Sequence, residues 1–242
     1  MSRSRATAAI CTIGIVLAVL TAFGSGGAAV AASHHRQAPT CGGERPAKPG
    51  GGRYTCTFTD DFKQSKLDSS KWMVGTTAQA GFATGSMLFG ARDCYVNSRD
   101  NVSVTSGQLH LTSRVEPKTL LCHSPLGNFR TNKTAGSVMS RGKFAQTYGR
   151  FEFRAKFPHT TMAGVDSALW MYPQDPVYGS WPRSGEIDVA EWFGSRYGNQ
   201  AVLPSVHYAG ENKRRSTGRD CVVPTAESKF HTYAVNWTRT TM

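Results

Sequence analysis

The stretch "SGEIDVAEWFG", residues 184–194, sets three acids, Glu186, Asp188 and Glu191, into a run that otherwise reads Ile, Val, Ala, Trp and Phe. On a β-strand alternate side chains share a face, so Glu186 and Asp188 point one way while Ile187 and Val189 point into the opposite layer. Glu191 has the wrong parity. A β-bulge admits one extra residue and re-aims the side chains beyond it, and the small Ala190 sits where one fits. With that bulge all three carboxyl groups line one face, and the two glutamates bracket the aspartate.

Two glutamates leaning together in this way bring their carboxyls to about 5–6 Å, near the separation of a retaining glycosidase pair. In such a pair one carboxylate attacks the anomeric carbon and the other protonates the leaving oxygen. Three like charges this close do not all ionise easily, so the pKa of at least one rises, as a general acid requires. The plain alternative is a strand face of ordinary solvated acids. Against it stand the apolar opposite face and the flanking Trp181, Trp192 and Phe193, whose flat rings suit sugar stacking. Metal binding by the triplet is a further alternative, but no His stands at ligand spacing and one flat strand suits Ca²⁺ poorly, so no metal ligand is assigned.

Outward from this stretch the apolar pattern has period two. In "YGRFEFRAKFP" Phe151, Phe153, Ala155 and Phe157 alternate with Glu152, Arg154 and Lys156, and in "GQLHLTSR" Leu109 and Leu111 alternate with polar neighbours. Similar short runs recur at "DNVSVTSG", "GSVMSRGKFA", "DSALWMYP", "PSVHYAG" and "FHTYAVNW", separated by Gly, Pro, Asn and Ser turn signals. There is no internal repeat and, beyond the N-terminal segment, no helix of three turns. The pattern predicts an all-β fold, an antiparallel two-sheet sandwich. At 242 residues the chain is long enough for one sizeable core.

The N-terminus carries Arg3 and Arg5, then the apolar run "ATAAICTIGIVLAVLTAFG" and the small residues "AAVAAS", the order of a secretory signal peptide over residues 1–32. The run also approaches the length of a bilayer span, which makes an uncleaved anchor the alternative. Residues 33–53, rich in Gly, Pro and charge, read as a flexible linker, and the folded domain is expected over 54–242. The chain is then secreted, a monomer with no membrane contact after cleavage. A formal charge of +12 is spread rather than blocked, and no nucleic-acid motif accompanies it, so a solvated surface is the reading and nucleic acid is not a partner. Export favours disulfides; short-range pairing predicts Cys41 with Cys56 and Cys94 with Cys122, leaving Cys221 over. "NVS", "NKT" and "NWT" match the N-glycosylation pattern.

Taken together, "WPRSGEIDVAEWFG", "TYGRFEFRAKFP", "DSALWMYP" and "LDSSKW" resemble glycoside hydrolase family 16, in its laminarinase-like form with the bulged Glu-x-Asp-x-x-Glu signature. The resemblance runs over residues 57–237. It implies a concanavalin A-like jelly roll whose concave sheet holds a β-glycan, with Glu186 as nucleophile and Glu191 as acid/base. Asp188 between them would orient the nucleophile and tune its protonation. Trp170 and Trp181 would be stacking platforms, and Asn97 and His207 hydrogen-bonding groups in the cleft. For Trp170 a core role is the alternative, and for His207 a packed histidine. The family's further C-terminal strands are expected to be missing after "TRTTM", and with them a late residue of its frequent structural Ca²⁺ site; the two-carboxylate chemistry requires no cofactor.

What the resemblance implies is a secreted endo-acting retaining hydrolase of a polysaccharide, β-1,3- or β-1,3-1,4-glucan. The alternatives are a galactan hydrolase of agar type, a transglycosylase, and a carbohydrate-binding sandwich with weak or no turnover.

Overall fold

The computed structural model describes residues 39–80, 92–160, 165–193, 201–210 and 221–242, all within the unit spanning residues 38–242. The segment expected to be a signal peptide, 1–32, and the start of the 33–53 stretch lie outside the described residues. From residue 39 that stretch carries a short 3-10 turn at Cys41–Gly43, a bridge from Ala47 to Arg53 and a disulfide from Cys41 to Cys56.

The described chain is nearly all β. Its helix is one turn, α1 (Thr77–Ala80). The centre is a four-stranded antiparallel sheet in the order β12 (Cys221–Val222), β11 (Ala201–His207), β10 (Glu186–Trp192), β9 (Ser167–Met171). Behind it lies the pair β8 (Gly149–Ala155) and β13 (His231–Trp237), in continuous register from Ala155 against His231 to Gly149 against Trp237. Smaller pairings complete the fold: β1 (Met73–Val74) with β7 (Val138–Met139), β3 (Val102–Thr105) with β4 (Gln108–Leu111), and β5 (Arg114–Cys122) with β6 (Phe129–Ala135). β2 (Cys94–Tyr95) runs parallel to β6.

The two layers meet where the period-two pattern puts apolar side chains. Ile187, Val189, Ala190, Trp192 and Val202 from the central sheet pack with Phe157, Ala226 and Tyr233, and Phe153, Ala155 and Val235 of β8 and β13 border them. Phe157 stacks nearly parallel to Trp192, ring centroids 6.3 Å apart, and meets Tyr233 at 5.2 Å. Burying an aromatic or branched side chain in this way stabilises the fold by roughly 1.5–3 kcal/mol each. Trp192, at 1 % exposure, belongs wholly to this core. It is therefore not one of the sugar-facing rings that its nearness to the acids implied.

Both expected disulfides form, and Cys221 lies exposed in β12 outside them. The sequon asparagine Asn101 is 2 % exposed and donates its amide to Thr112 O and Thr134 Oγ1, so a folded chain does not offer it to a glycosyltransferase. β5 and β6 escaped the reading of periodicity because β5 is largely exposed and contains Pro117, which its ladder accommodates by a register shift between Val115 and Leu120.

Candidate active site

β10 enters the sheet from Gly185, whose φ of +89° closes a turn onto Pro182 O and is open only to glycine at low cost. Against β11, Glu186 lies opposite His207 and Asp188 opposite Ser205, but Glu191 lies opposite Leu203. Two residues of β10, Val189 and Ala190, thus face one of β11. Against β9 the register slips at the same point, from Asp188 beside Trp170 to Ala190 beside Leu169. A bulge at Val189–Ala190 therefore returns Glu191 to the face of Glu186 and Asp188 and sends Trp192 into the core.

The carboxyl groups are tied together by named contacts. Ser205 Oγ lies 2.8 Å from Asp188 Oδ2 and 3.1 Å from Glu191 Oε2. A hydroxyl has one hydrogen, so it donates to one of these carboxyls and can engage the other only by accepting. A Ser205 hydroxyl that donates to Asp188 accepts from a protonated Glu191. His207 Nε2 stands 3.3 Å from the same Asp188 Oδ2. Trp181 donates its indole Nε1–H to Glu186 Oε2, and its ring tilts over His207 at a centroid distance of 5.4 Å.

The electrostatics follow from burial and crowding. Burial first, then the charges of Asp188 and Asp166, push Glu191 up to about 7, with Ser205 and His207 opposing. Burial raises Asp188 as well, again against Ser205 and His207. Glu191 therefore holds a proton well above the ordinary carboxyl range, the state in which it can give one to a leaving oxygen.

Of the other expected site residues, Trp170 stands beside Asp188 across the β9–β10 ladder and meets Tyr172 edge-on at 5.5 Å. With the half-exposed Trp181 it gives the carboxyl face two indoles. Asn97 is exposed on the segment after β2 and lines a depression of about 410 Å³ with Leu67, Trp72 and Lys143, which holds none of the three acids. Two residues were missed by the reading of the sequence. Ser205 could have been found from the strand parity of "PSVHYAG", which puts it on the face of His207, and Asp166 from its even offsets, two and four residues, to Ala168 and Trp170. Among the described residues no group of three or more His, Cys, Asp or Glu side chains is placed to hold a metal ion.

A two-layer β-sandwich whose central strand carries a bulged carboxyl triplet flanked by indoles has the architecture of a glycan-processing jelly roll. The chain belongs to the glycosyl hydrolases of family 16, whose model matches residues 90–242. It is 33% identical over 198 residues, 79% of this chain, to glucan endo-1,3-beta-glucosidase A1 of Niallia circulans, and 33% identical over 187 residues, 75% of this chain, to a beta-glucanase of Rhodothermus marinus. It spans only 28% and 58% of the lengths of those two relatives. The solved laminarinase of Rhodothermus marinus superimposes with a TM-score of 0.59 at 31% identity, over 74% of this chain and 66% of that one. The concanavalin A-like jelly roll expected from the sequence is thus the fold, and no helix among the described residues is long and apolar enough to cross a membrane.

Proposed function

We propose that this chain carries the catalytic domain of a secreted, endo-acting retaining hydrolase of β-1,3- or β-1,3-1,4-glucan. The observation that carries the reading is the bulge at Val189–Ala190, which puts Glu186 and Glu191 on one face around Asp188 while Glu191 stays protonated near neutrality. Glu186 attacks the anomeric carbon as the Glu191 proton passes to the departing glycosidic oxygen, giving a covalent glycosyl-enzyme and a free sugar end. Glu191, now a carboxylate, takes a proton from water, whose oxygen displaces Glu186 and restores both groups. The Trp181 indole N–H holds the Glu186 carboxylate in place. Asp188, held by Ser205 and His207, keeps a charge between the two glutamates. Trp181 and Trp170 offer rings to the sugar units on either side of the scissile bond.

Residues 1–32 would deliver the chain to the exterior, where the two disulfides persist. The test is release of oligosaccharides from laminarin, lichenan, agarose and xylan by the chain from residue 33 onward, with Glu186→Gln in parallel. Release from laminarin or lichenan, abolished in the variant, is the expected result. Release from agarose alone would move the substrate to a galactan, and no release from any of the four would leave a glycan-binding sandwich.

A further inference from the structure

Asp166 immediately precedes β9, two residues before Ala168 and four before Trp170. Ala168 lies opposite Glu191 and Trp170 opposite Asp188, so the parity of β9 puts Asp166 on the carboxyl face at the Glu191 end. Alanine at position 168 leaves the space between Asp166 and Glu191 without a large side chain. The Oδ1 atom of Asp166 is buried and has no hydrogen-bond partner, an arrangement that penalises a full carboxylate charge. Asp93, just before β2, approaches Asp166 from a third segment.

We propose that Asp166 is a positioning residue for the reaction, acting on Glu191 across the β9–β10 ladder so that Glu191 keeps its proton until a glycosidic oxygen takes it. The inference rests on the reading of Glu191 as acid/base.

The groups facing this pair come from three elements: Asp188 stands on the same strand as Glu191, Ser205 and His207 reach in from β11, and Asp93 comes from just before β2. Burial, with the charges of Asp188 and Asp93, pushes Asp166 itself up to about 6, and burial raises Asp93 too, with Lys133 of β6 opposing. Asp166 and Glu191 therefore lose their protons in overlapping, coupled steps. As pH rises Asp166 ionises first, and its charge then resists the ionisation of Glu191. Asparagine at 166 keeps the shape and removes the charge, so Glu191 becomes a stronger acid and the alkaline limb of activity moves to lower pH.

The experiment is the pH profile of kcat/KM on laminarin for the parent, Asp166→Asn and Asp166→Glu. The expected result is an alkaline limb displaced downward by about half a pH unit or more in Asp166→Asn, the scale of losing one nearby charge. Asp166→Glu should restore it, which a purely structural role would not require. A parallel titration of the ¹³C-labelled Glu191 carboxyl by NMR reads the same displacement without turnover. If the parent proves inactive, the acid/base reading fails, while the NMR titration still decides the effect of Asp166 on Glu191. An unchanged Glu191 titration in folded Asp166→Asn overturns the proposal.

Discussion

The indole of Trp181 donates to Glu186 Oε2 while its ring leans over His207, the residue opposite Glu186 in the β10–β11 ladder. One side chain thus fixes a carboxylate and roofs the strand pair that carries it. At 53 % exposure Trp181 also has a face left for a ligand. Replacing it by Phe retains a ring and removes the donor. A hydrogen bond to a charged group is worth about 1.5–3 kcal/mol, so kcat on laminarin should fall roughly 10- to 100-fold in Trp181→Phe with a smaller change in KM. Trp181→Ala should raise KM as well, because the platform goes with the donor.

The raised pKa of Glu191 sets the direction of the pH profile. Donation requires the protonated form, which exists below about pH 7. Activity should decline above that point by about tenfold per pH unit, since each unit removes that fraction of the acid. Stability follows the same sign. A carboxyl whose folded pKa exceeds its unfolded value binds more protons when folded, so folding is favoured at low pH and weakened as pH rises from the unfolded value toward 7. Glu191→Gln, which removes the titrating group, should therefore melt above the parent at pH 8 and near it at pH 4. A gain of roughly 2–4 °C at pH 8, the response of a domain of this size to about 1 kcal/mol, is the expected scale in calorimetry.

How far the sequence carried this site is clearest at the bulge. Period-two parity is strict, so Glu191 could share a face with Asp188 only if a residue were inserted, and the register slips where that requirement fell. The same parity places Trp192 in the core. Its burial was missed because nearness to the acids was weighed above the half-turn that separates neighbours on a strand. Asn97 was assigned to the cleft by family pattern alone, and no strand register ties it to the acids. Strand parity alone puts Ser205 and Asp166 on the carboxyl face, but their interactions with Glu191 cross between strands, which one strand's pattern cannot display.

Ser205, 8 % exposed, is the hydroxyl between two carboxyls. Alanine there removes a group that both Asp188 and Glu191 contact and leaves two buried oxygens short of one partner. The cost of an unsatisfied buried acceptor, about 1–3 kcal/mol, should appear in kcat rather than KM if the bridge aligns the reacting carboxyls. Ser205→Ala should lose roughly 5- to 100-fold in kcat, and Ser205→Thr, which keeps the hydroxyl and suits a strand, should recover most of it. Equal losses in both variants would assign Ser205 to packing alone.

The two disulfides separate by what they hold. Cys94 and Cys122 are 5 % and 0 % exposed and join β2 to the end of β5, beside the Asp93 segment that approaches Asp166. Cys41 and Cys56 clip an exposed Gly- and Pro-rich arm and span 15 residues, against 28 for the other pair. Loop closure alone makes both crosslinks worth about 3–4 kcal/mol and nearly equal. The difference lies in the folded state, because opening Cys94–Cys122 frees buried strands whereas opening Cys41–Cys56 frees an arm outside the core. Replacing Cys94 and Cys122 together by Ala should therefore lower the melting temperature by about 6–16 °C and shift the Glu191 titration through the loosened Asp93. The Cys41 and Cys56 double replacement should leave that titration unchanged, whatever it costs in melting temperature.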